Sequence, residues 1–568
     1  MTTRETLRRA ALPLLSVGIA LVVLGPAVGR GFVLTYDMVF APTQPLVPDS
    51  IGTGSQLPRS VPADAVIALL TKVLPGDLVQ QAILLLLLAA GPLGAGRLVP
   101  TTSLGTRLVA ATGYGWTAYV AERLFMGHWP YLVAYACLPW IAAAGLRVRR
   151  GEPKALAVLL LVCVPAALTP TGGLLAAGTA LASAGPRRTG PVLVGLLVLN
   201  APWWVPSVLR PGGALSTPDA VGAFAAREES WGGPVTSLLG LGGYWNSEVV
   251  PDSRALPMVA ALGIVLAAIA LAGQPMLARR WGVAPTRSLL LLGAFGVLLA
   301  AADSLPGGGA VLRWAVNTLP GAGLLRDAQK WVAWWALPLA LGTALAVEWA
   351  AGRLRANAGR ISLFAGAALF PILLLPDLAF GGFGRLATVD YPVDWARVRA
   401  TLADDDRPGD VLTLPLGSFR RFAWNENRTQ LDPAPRILPR TTLIDDTVHV
   451  GDRPIAGENS RLTEVRSALD DGPAALAAAG VGWLLVEHGT PGRLPAALAG
   501  LDRGYDGEWL TLYRVPGEVA DPPDVGAPLA AVLVANTIVI LMIAAGLLWV
   551  ALPTGRFKRS SSRVNVEE

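Results

Sequence analysis

The chain predicts an all-α polytopic membrane protein of about 12 transmembrane helices, with an extracytoplasmic α/β domain in its C-terminal half. Three observations lead there. Hydrophobic residues make up 53% of the 568 positions and charged residues only 15%, against about 25% charged in soluble domains. Apolar runs recur along most of the chain, separated by loops that alternate between basic and acidic character. One long stretch, from Gly381 to Asp524, breaks this pattern and reads as strands and amphipathic helix bounded by glycines.

The elements follow in order. The N-terminal MTTRETLRRA is basic and precedes an apolar run from Ala10 to Gly29. That run exceeds the ~15 residues of a signal-peptide core, and GPAVGR is a poor cleavage site, so it reads as a retained first span. Further runs lie near 79–96, 108–121, 131–146, 155–168, 172–185, 191–209, 257–273, 288–302, 332–350, 361–378 and 527–551. Several are short: a fourteen-residue helix rises only ~21 Å against a hydrocarbon core of ~30 Å. The stretch around LTPTGGLL therefore reads either as one interrupted helix or as a hairpin of two short ones. Basic residues choose the hairpin. With Arg4, Arg8 and Arg9 inside, alternate loops carry Arg97 and Arg107; Arg147, Arg149, Arg150 and Lys154; Arg187 and Arg188; Arg279, Arg280 and Arg287; Arg353, Arg355 and Arg360; and finally Arg556, Lys558 and Arg559. Every short basic cluster then lies on one side, as the positive-inside rule requires, whereas a single helix would place the later clusters outside. The expectation is a multi-pass plasma-membrane protein with both termini cytoplasmic. The formal net charge of +6 belongs to that orientation and not to a nucleic-acid partner.

Three regions result: a transmembrane part over 1–380, an extracytoplasmic α/β part over 381–525, and a last transmembrane helix with a basic tail over 526–568. In the middle region GDVLTLPLGSF, GVGWLLVEHG and WLTLYRV read as strands, and NSRLTEVRSALDDGPAALAAAG as helix with Asn459 or Ser460 as its cap. It contains no P-loop and no GxSxG motif. The two cysteines, Cys137 and Cys163, lie in apolar runs, which excludes a disulfide framework and a cysteine-based metal site. The three histidines, His128, His449 and His488, show no metal-ligand spacing.

Candidate chemistry gathers in the loops expected outside. TYDMVFAPTQP supplies Asp37, a carboxylate beside an apolar mouth, costly unless partnered. YVAERLFMGHWPYL supplies Glu122, Arg123, His128 and Trp129; GAFAAREESWGG supplies Glu228 and Glu229; LPGAGLLRDAQKWVAWW supplies Arg326, Asp327 and Lys330. Trp129, Trp334, Trp335 and Trp349 suit interfacial anchoring, Glu228 and Glu229 a solvated loop edge, and Glu122 with Arg123 a local pair or helix cap. The set also suits one chemistry. Moving a sugar off a lipid phosphate needs a carboxylate to take the acceptor's proton. It needs cations where negative charge grows on the departing phosphate, and arginine offers a planar fork for it. Asp37, Arg123, His128, Arg326 and Lys330 are the right types on the expected side.

These residues, with a cytoplasmic N-terminal tail, a first span and an aspartate in the first outer loop, resemble the C-type (GT-C) glycosyltransferase superfamily. LPRSVPADAVIALLTKVLPGDLVQQAIL is similar to the segment entering span two of actinobacterial arabinofuranosyl- and mannosyltransferase-like proteins, and ERLFMGHWPYLVAYACLPW and LLRDAQKW are similar to runs in relatives of that group. The resemblance covers roughly residues 1–380. It implies an inverting enzyme of envelope-glycan assembly that uses a polyprenyl-phosphate sugar donor and a cell-envelope glycan acceptor, and it carries over one residue, Asp37, as base. Many members pair acids in that loop; here Asp49 stands twelve residues on, so metal use is left open, with a divalent cation as one option. Arg326 and Lys330 are then expected to clamp phosphate, and Arg123 and His128 to support the lipid phosphate or the sugar. Trp424, in SFRRFAWNENRTQLDPAPR, is expected either as a sugar platform or as a packed core residue. Two rivals stand beside this reading: a transporter or flippase of a lipid-linked glycan, and a non-catalytic scaffold of an envelope complex. Span centres nearly free of ionisable residues count against the transporter.

Overall fold

The computed structural model describes residues 3–210, 219–450, 453–495, 498–523 and 525–553. Asp524 and the basic tail with Arg556, Lys558 and Arg559 lie outside the described residues. All twelve apolar runs contain helix, but they are not twelve equal spans. Among the described residues eight helices are long and apolar enough to cross a bilayer: Arg8–Ala27, Gly76–Leu98, Trp129–Arg149, Pro257–Trp281, Val283–Ser304, Ala328–Ala351, Asn357–Leu374 and Leu529–Ala551. The helices Pro186–Leu199 and Ala201–Leu209, bent by 69° to each other, are long and apolar enough only as a pair, a broken span or a re-entrant loop. The remaining three runs form shorter helices. Leu104–Gly115 stops before Thr117, whose hydroxyl caps the separate helix Ala118–Phe125, and Ala155–Cys163 is followed, after a break that ends at Thr169, by Pro170–Ala184. Each break sits where a threonine side chain accepts a backbone N–H that the helix itself leaves unpaired.

Close glycine contacts define the directions of packing. Gly91 lies against Ala136 and Gly94 against Pro139 and Trp140; Gly172 lies against Ala134 and Gly145 against Ser183. Helices Gly76–Leu98, Trp129–Arg149 and Pro170–Ala184 therefore run parallel, which requires Ala155–Cys163 to run back between the last two. This is the hairpin, and small residues let its backbones approach. Basic loops meet at one end as a result. Arg149 Nε donates to the Ser183 carbonyl at 2.8 Å, Arg280 Nη1 to the Pro100 carbonyl at 2.7 Å, and Arg280 Nη2 pairs with Glu348 at 3.0 Å. The hairpin is also short. Pro170–Ala184 has 15 residues, ~22 Å of helix against ~30 Å of hydrocarbon, less than a full crossing, and its Thr169–Thr171 turn lines a recess. Trp129, Trp334 and Trp335 are buried rather than lipid-facing; the indoles of Trp334 and Trp335 donate to the Leu175 and Leu239 carbonyls. Trp349 is half exposed and carries Arg353 over its ring.

The sheet-containing part begins at the loop that follows the first span. Strand β1 (Phe32–Val33) pairs antiparallel with β2 (Thr388–Val389), Phe32 opposite Val389. Beyond it lie β3 (Asp410–Leu414), β4 (Phe419–Arg421), β5 (Thr429–Leu431), β6 (Thr442–Leu443), β7 (Val448–Val450), β8 (Arg453–Ile455), β9 (Val481–Glu487), β10 (Arg503–Asp506) and β11 (Leu510–Arg514). One sheet has the order β10-β11-β9-β3-β6, with β9, β3 and β6 parallel and β11 antiparallel to β9. Alternation sorts its side chains. Val411, Trp483, Leu485 and Leu512 pack with Trp395 and Val398 of helix Val393–Asp404. Leu412, Leu414, Leu484 and Val486 pack with Val465, Leu469 and Leu476 of helices Ser460–Asp471 and Pro473–Ala478. Both faces are covered, which is why β3 and β9 are buried along their whole length. Asn459 caps the first of those helices, its side-chain oxygen accepting from the Arg461 amide at 3.1 Å.

Candidate functional site

The loop carrying Asp37 is held from three sides. Gln80, on the second span, accepts from the Val33 amide at 2.9 Å and donates to the Val33 carbonyl at 2.7 Å. Tyr36 adopts a left-handed backbone, φ 41°, which a bulky residue tolerates only when its surroundings over-determine it. Here they do: the Tyr36 amide donates to the Thr429 carbonyl and its own carbonyl accepts from Leu431, both at 2.7 Å. The Asp37 amide donates to the Met126 carbonyl at 3.1 Å. The next residue, Gly127, has φ +79°, and a Cβ there would come within 2.1 Å of the Met38 nitrogen. Only glycine permits this approach. The carboxylate thus stands where the loop after the first span, the 126–128 turn and β5 meet.

Behind it runs a buried polar chain. His128 Nε2 lies 2.9 Å from Asp37 Oδ2, and His128 Nδ1 lies 2.9 Å from Arg123 Nη1. Arg123, fully buried, donates to Asp327 through Nη1 at 2.6 Å and Nη2 at 3.0 Å. It also donates to Gln329 Oε1 through Nε at 3.0 Å and Nη2 at 2.6 Å. Three tyrosine rings surround its guanidinium, Tyr244 the nearest at 4.6 Å, then Tyr131 and Tyr119. Burial pushes the Asp327 carboxyl up, but the Arg123 charge outweighs it and holds the group at about 2.

Asp37 and His128 line a cavity of about 450 Å³ between the membrane helices and the sheet-containing part. Asp37 is 39% exposed and His128 12%. Arg326, Asp327 and Lys330 line the same cavity, as do Thr169, Pro170 and Thr171 of the hairpin turn and Trp203 and Ser207 of the bent pair. Lys330 Nζ donates to the Thr171 hydroxyl at 3.1 Å, so the recess left by the short hairpin is the cationic floor of the cavity. Arg326 Nη1 pairs with Glu458 at 2.7 Å, and Arg59 pairs with the other oxygen of the same carboxylate. Burial and the neighbouring Arg59 push the Arg326 guanidinium down to about 9, which leaves it cationic at neutral pH. The upper walls carry Gln44, Asp49, Asp64, Phe419, Arg436 and Asn459.

The candidates divide accordingly. Asp37, His128, Arg326 and Lys330 share one cavity; Arg123 backs it without lining it. His128 faces Asp37 and Arg123 and is spent on them. Trp424 is apart: it stacks on Phe422 at 4.9 Å and lies 5.3 Å from Tyr391, inside the packing. Of its two expected roles the packed one describes its surroundings. Glu229 is no solvated edge, since it forms a buried pair with Arg254 at 2.6 Å. Asp49 lines the cavity, accepts from the Gln56 amide at 3.0 Å, and has its carboxyl pushed up by burial. Among the described residues no three or more His, Cys, Asp or Glu side chains cluster as a metal site. Gln329, Arg59 and Glu458 were not singled out in the sequence, where nothing distinguishes them from ordinary loop polarity.

No known family's sequence profile matches the chain, and no curated protein matches it in sequence. Solved structures do. The arabinofuranosyltransferase AftD from mycobacteria, solved by single-particle cryo-electron microscopy, superposes with a TM-score of 0.56 at 18% identity over 92% of this chain and 40% of that one. A mutant form of the same enzyme gives 0.54 at 18% identity over 92% and 42%. The chain thus spans about two-fifths of the length of these structures, and what it shares with the mycobacterial arabinofuranosyltransferase is its fold, a polytopic helical bundle that goes with the GT-C resemblance read from its residues.

Proposed function

We propose that the protein is an inverting membrane glycosyltransferase, which moves a sugar from a polyprenyl phosphate to an envelope glycan on the outer face of the plasma membrane. The observation that carries this reading is the meeting of Asp37 with Arg326 and Lys330 in one cavity, floored by membrane helices and walled by the sheet-containing part. An acceptor hydroxyl attacks the anomeric carbon while Asp37 takes its proton. The bond from that carbon to the phosphate oxygen breaks on the opposite face, and the phosphate leaves on its lipid. Arg326 and Lys330 meet the charge that grows there. The floor, with Thr171, Trp203 and Ser207, suits the lipid end of the donor; the walls, with Phe419, Arg436 and Asn459, suit a sugar acceptor. The arabinofuranosyltransferase fold makes arabinofuranosyl the first sugar to try. Purified protein incubated with labelled polyprenyl-phosphate arabinofuranose and an arabinan acceptor should transfer label. A well-folded preparation that moves no label from this donor or its mannosyl counterpart would turn the assignment toward a scaffold.

A further inference from the structure

The guanidinium of Arg123 has five N–H donors and no acceptor, and it does not deprotonate in proteins. Four are taken by oxygens: two by Asp327 and two by Gln329 Oε1. Its fifth points at His128 Nδ1. A donor that cannot lose its proton leaves that nitrogen one state, the bare acceptor. The ring proton then sits on Nε2, 2.9 Å from Asp37 Oδ2, where it is donated to the carboxylate.

We propose that Arg123, oriented by Asp327 and Gln329, is a tautomer lock that fixes His128 as a neutral Nε2–H donor to Asp37. The inference rests on Asp37 being the base and says how that base is aimed. Oδ2 is occupied by His128, so Oδ1 is the oxygen left for the acceptor hydroxyl. His128 does not relay the proton onward, because its second nitrogen is held by a permanent cation. The proton taken by Asp37 leaves through the exposed side of the carboxylate instead. The groups facing His128 are Asp37 on one nitrogen, Arg123 on the other, and the rings of Tyr131 at 4.8 Å and Tyr244 at 6.1 Å. Asp327 stands behind Arg123 with its charge already matched, and Lys330 lies beyond the Tyr131 ring. Arg123, Asp327 and Gln329 are positioning residues in this scheme.

The test reads the ring directly. The chain has three histidines, so full-length protein labelled with nitrogen-15 histidine gives a sparse spectrum, and His128→Gln identifies the His128 signals by their loss. The lock predicts a ring with its proton on Nε2 and a bare Nδ1 near neutral pH. A proton on Nδ1 overturns it. Arg123→Gln should release the ring to exchange between its two tautomers; if that variant does not fold, the wild-type spectrum alone decides. In transfer assays His128→Gln, which can offer an amide N–H near the Nε2 position, should retain about tenfold more activity than the shorter His128→Asn. Equal activity of the two variants counts against the lock. Should Asp37 not be the base, the spectrum is unaffected, so the two failures are distinguishable.

Discussion

Removing Asp327 should unsettle the protein more than removing Asp327 and Arg123 together. Arg123 is fully buried and meets Asp327 through two parallel bonds of 2.6 and 3.0 Å. Asp327→Asn keeps the shape but replaces one acceptor oxygen with an NH₂ group that faces a guanidinium N–H, and it removes the counter-charge of a buried cation. Breaking one side of such a pair costs roughly 3–5 kcal/mol, whereas replacing both partners by apolar groups is often near neutral. Arg123→Met with Asp327→Leu should therefore lie closer to wild type than Asp327→Asn alone. The chain's own cysteines supply the assay. Cys163 is fully buried and Cys137 half-buried in helices, so a thiol-reactive dye follows unfolding in detergent as temperature rises. The pH dependence has a definite sign. A carboxyl held at about 2 in the folded protein, against ~3.9 when unfolded, stabilises fully above pH ~4 and loses that contribution as pH falls toward 2. The gap between wild type and Asp327→Asn should narrow over that window. Equal unfolding temperatures for wild type and Asp327→Asn at pH 7 would refute the claim that this pair holds the buried chain behind Asp37.

The other predictions concern the cavity and its placement. Arg326→Ala should lower turnover by tens-fold or more, as loss of an electrostatic donor does, with Arg326→Lys recovering part of it because the fork is lost; unchanged turnover at normal protein level would remove Arg326 from the phosphate site. Gly127→Ala should insert normally but lose most transfer, since its Cβ would sit 2.1 Å from the Met38 nitrogen on a left-handed backbone; wild-type activity would show that the Asp37 loop tolerates displacement. Alkaline phosphatase fused after Gly417 should be active and fused after Arg188 inactive, and the reverse would put Asp37 on the wrong side of the membrane.

What the sequence made legible follows from physics that acts locally. Transfer free energy marks an apolar run whatever its depth, so each of the twelve runs contains helix. The same index is blind to how far a helix reaches; run length and loop charge make Ala155–Ala184 legible as a short hairpin, but not that its turn meets Lys330. Apolar runs bounded by glycines made β3 and β9 legible, WLTLYRV made β11 so, and the cap was legible as Asn459 or Ser460 because caps are written in adjacent residues. Asp37 stood out because an acid beside an apolar mouth is expensive. Gln329 did not, because a neutral amide acquires its meaning only from Arg123, 206 positions away. Glu458 likewise becomes part of the site only when folding carries it to Arg326 across 132 positions. Trp424 shows another limit: an aromatic among polar neighbours reads equally as a sugar platform or as a packed residue, and only the fold shows Phe422 and Tyr391 against its ring.

The most direct test of the account is the rate of sugar transfer from a labelled polyprenyl phosphate by Asp37→Asn protein at wild-type abundance. Asparagine keeps the size of the side chain and an acceptor for His128 Nε2–H, but it cannot take a proton from the acceptor hydroxyl. General-base catalysis contributes about 10²–10⁴-fold, so transfer should fall by that order while donor binding persists. Near-normal transfer by a well-folded Asp37→Asn protein would contradict the account.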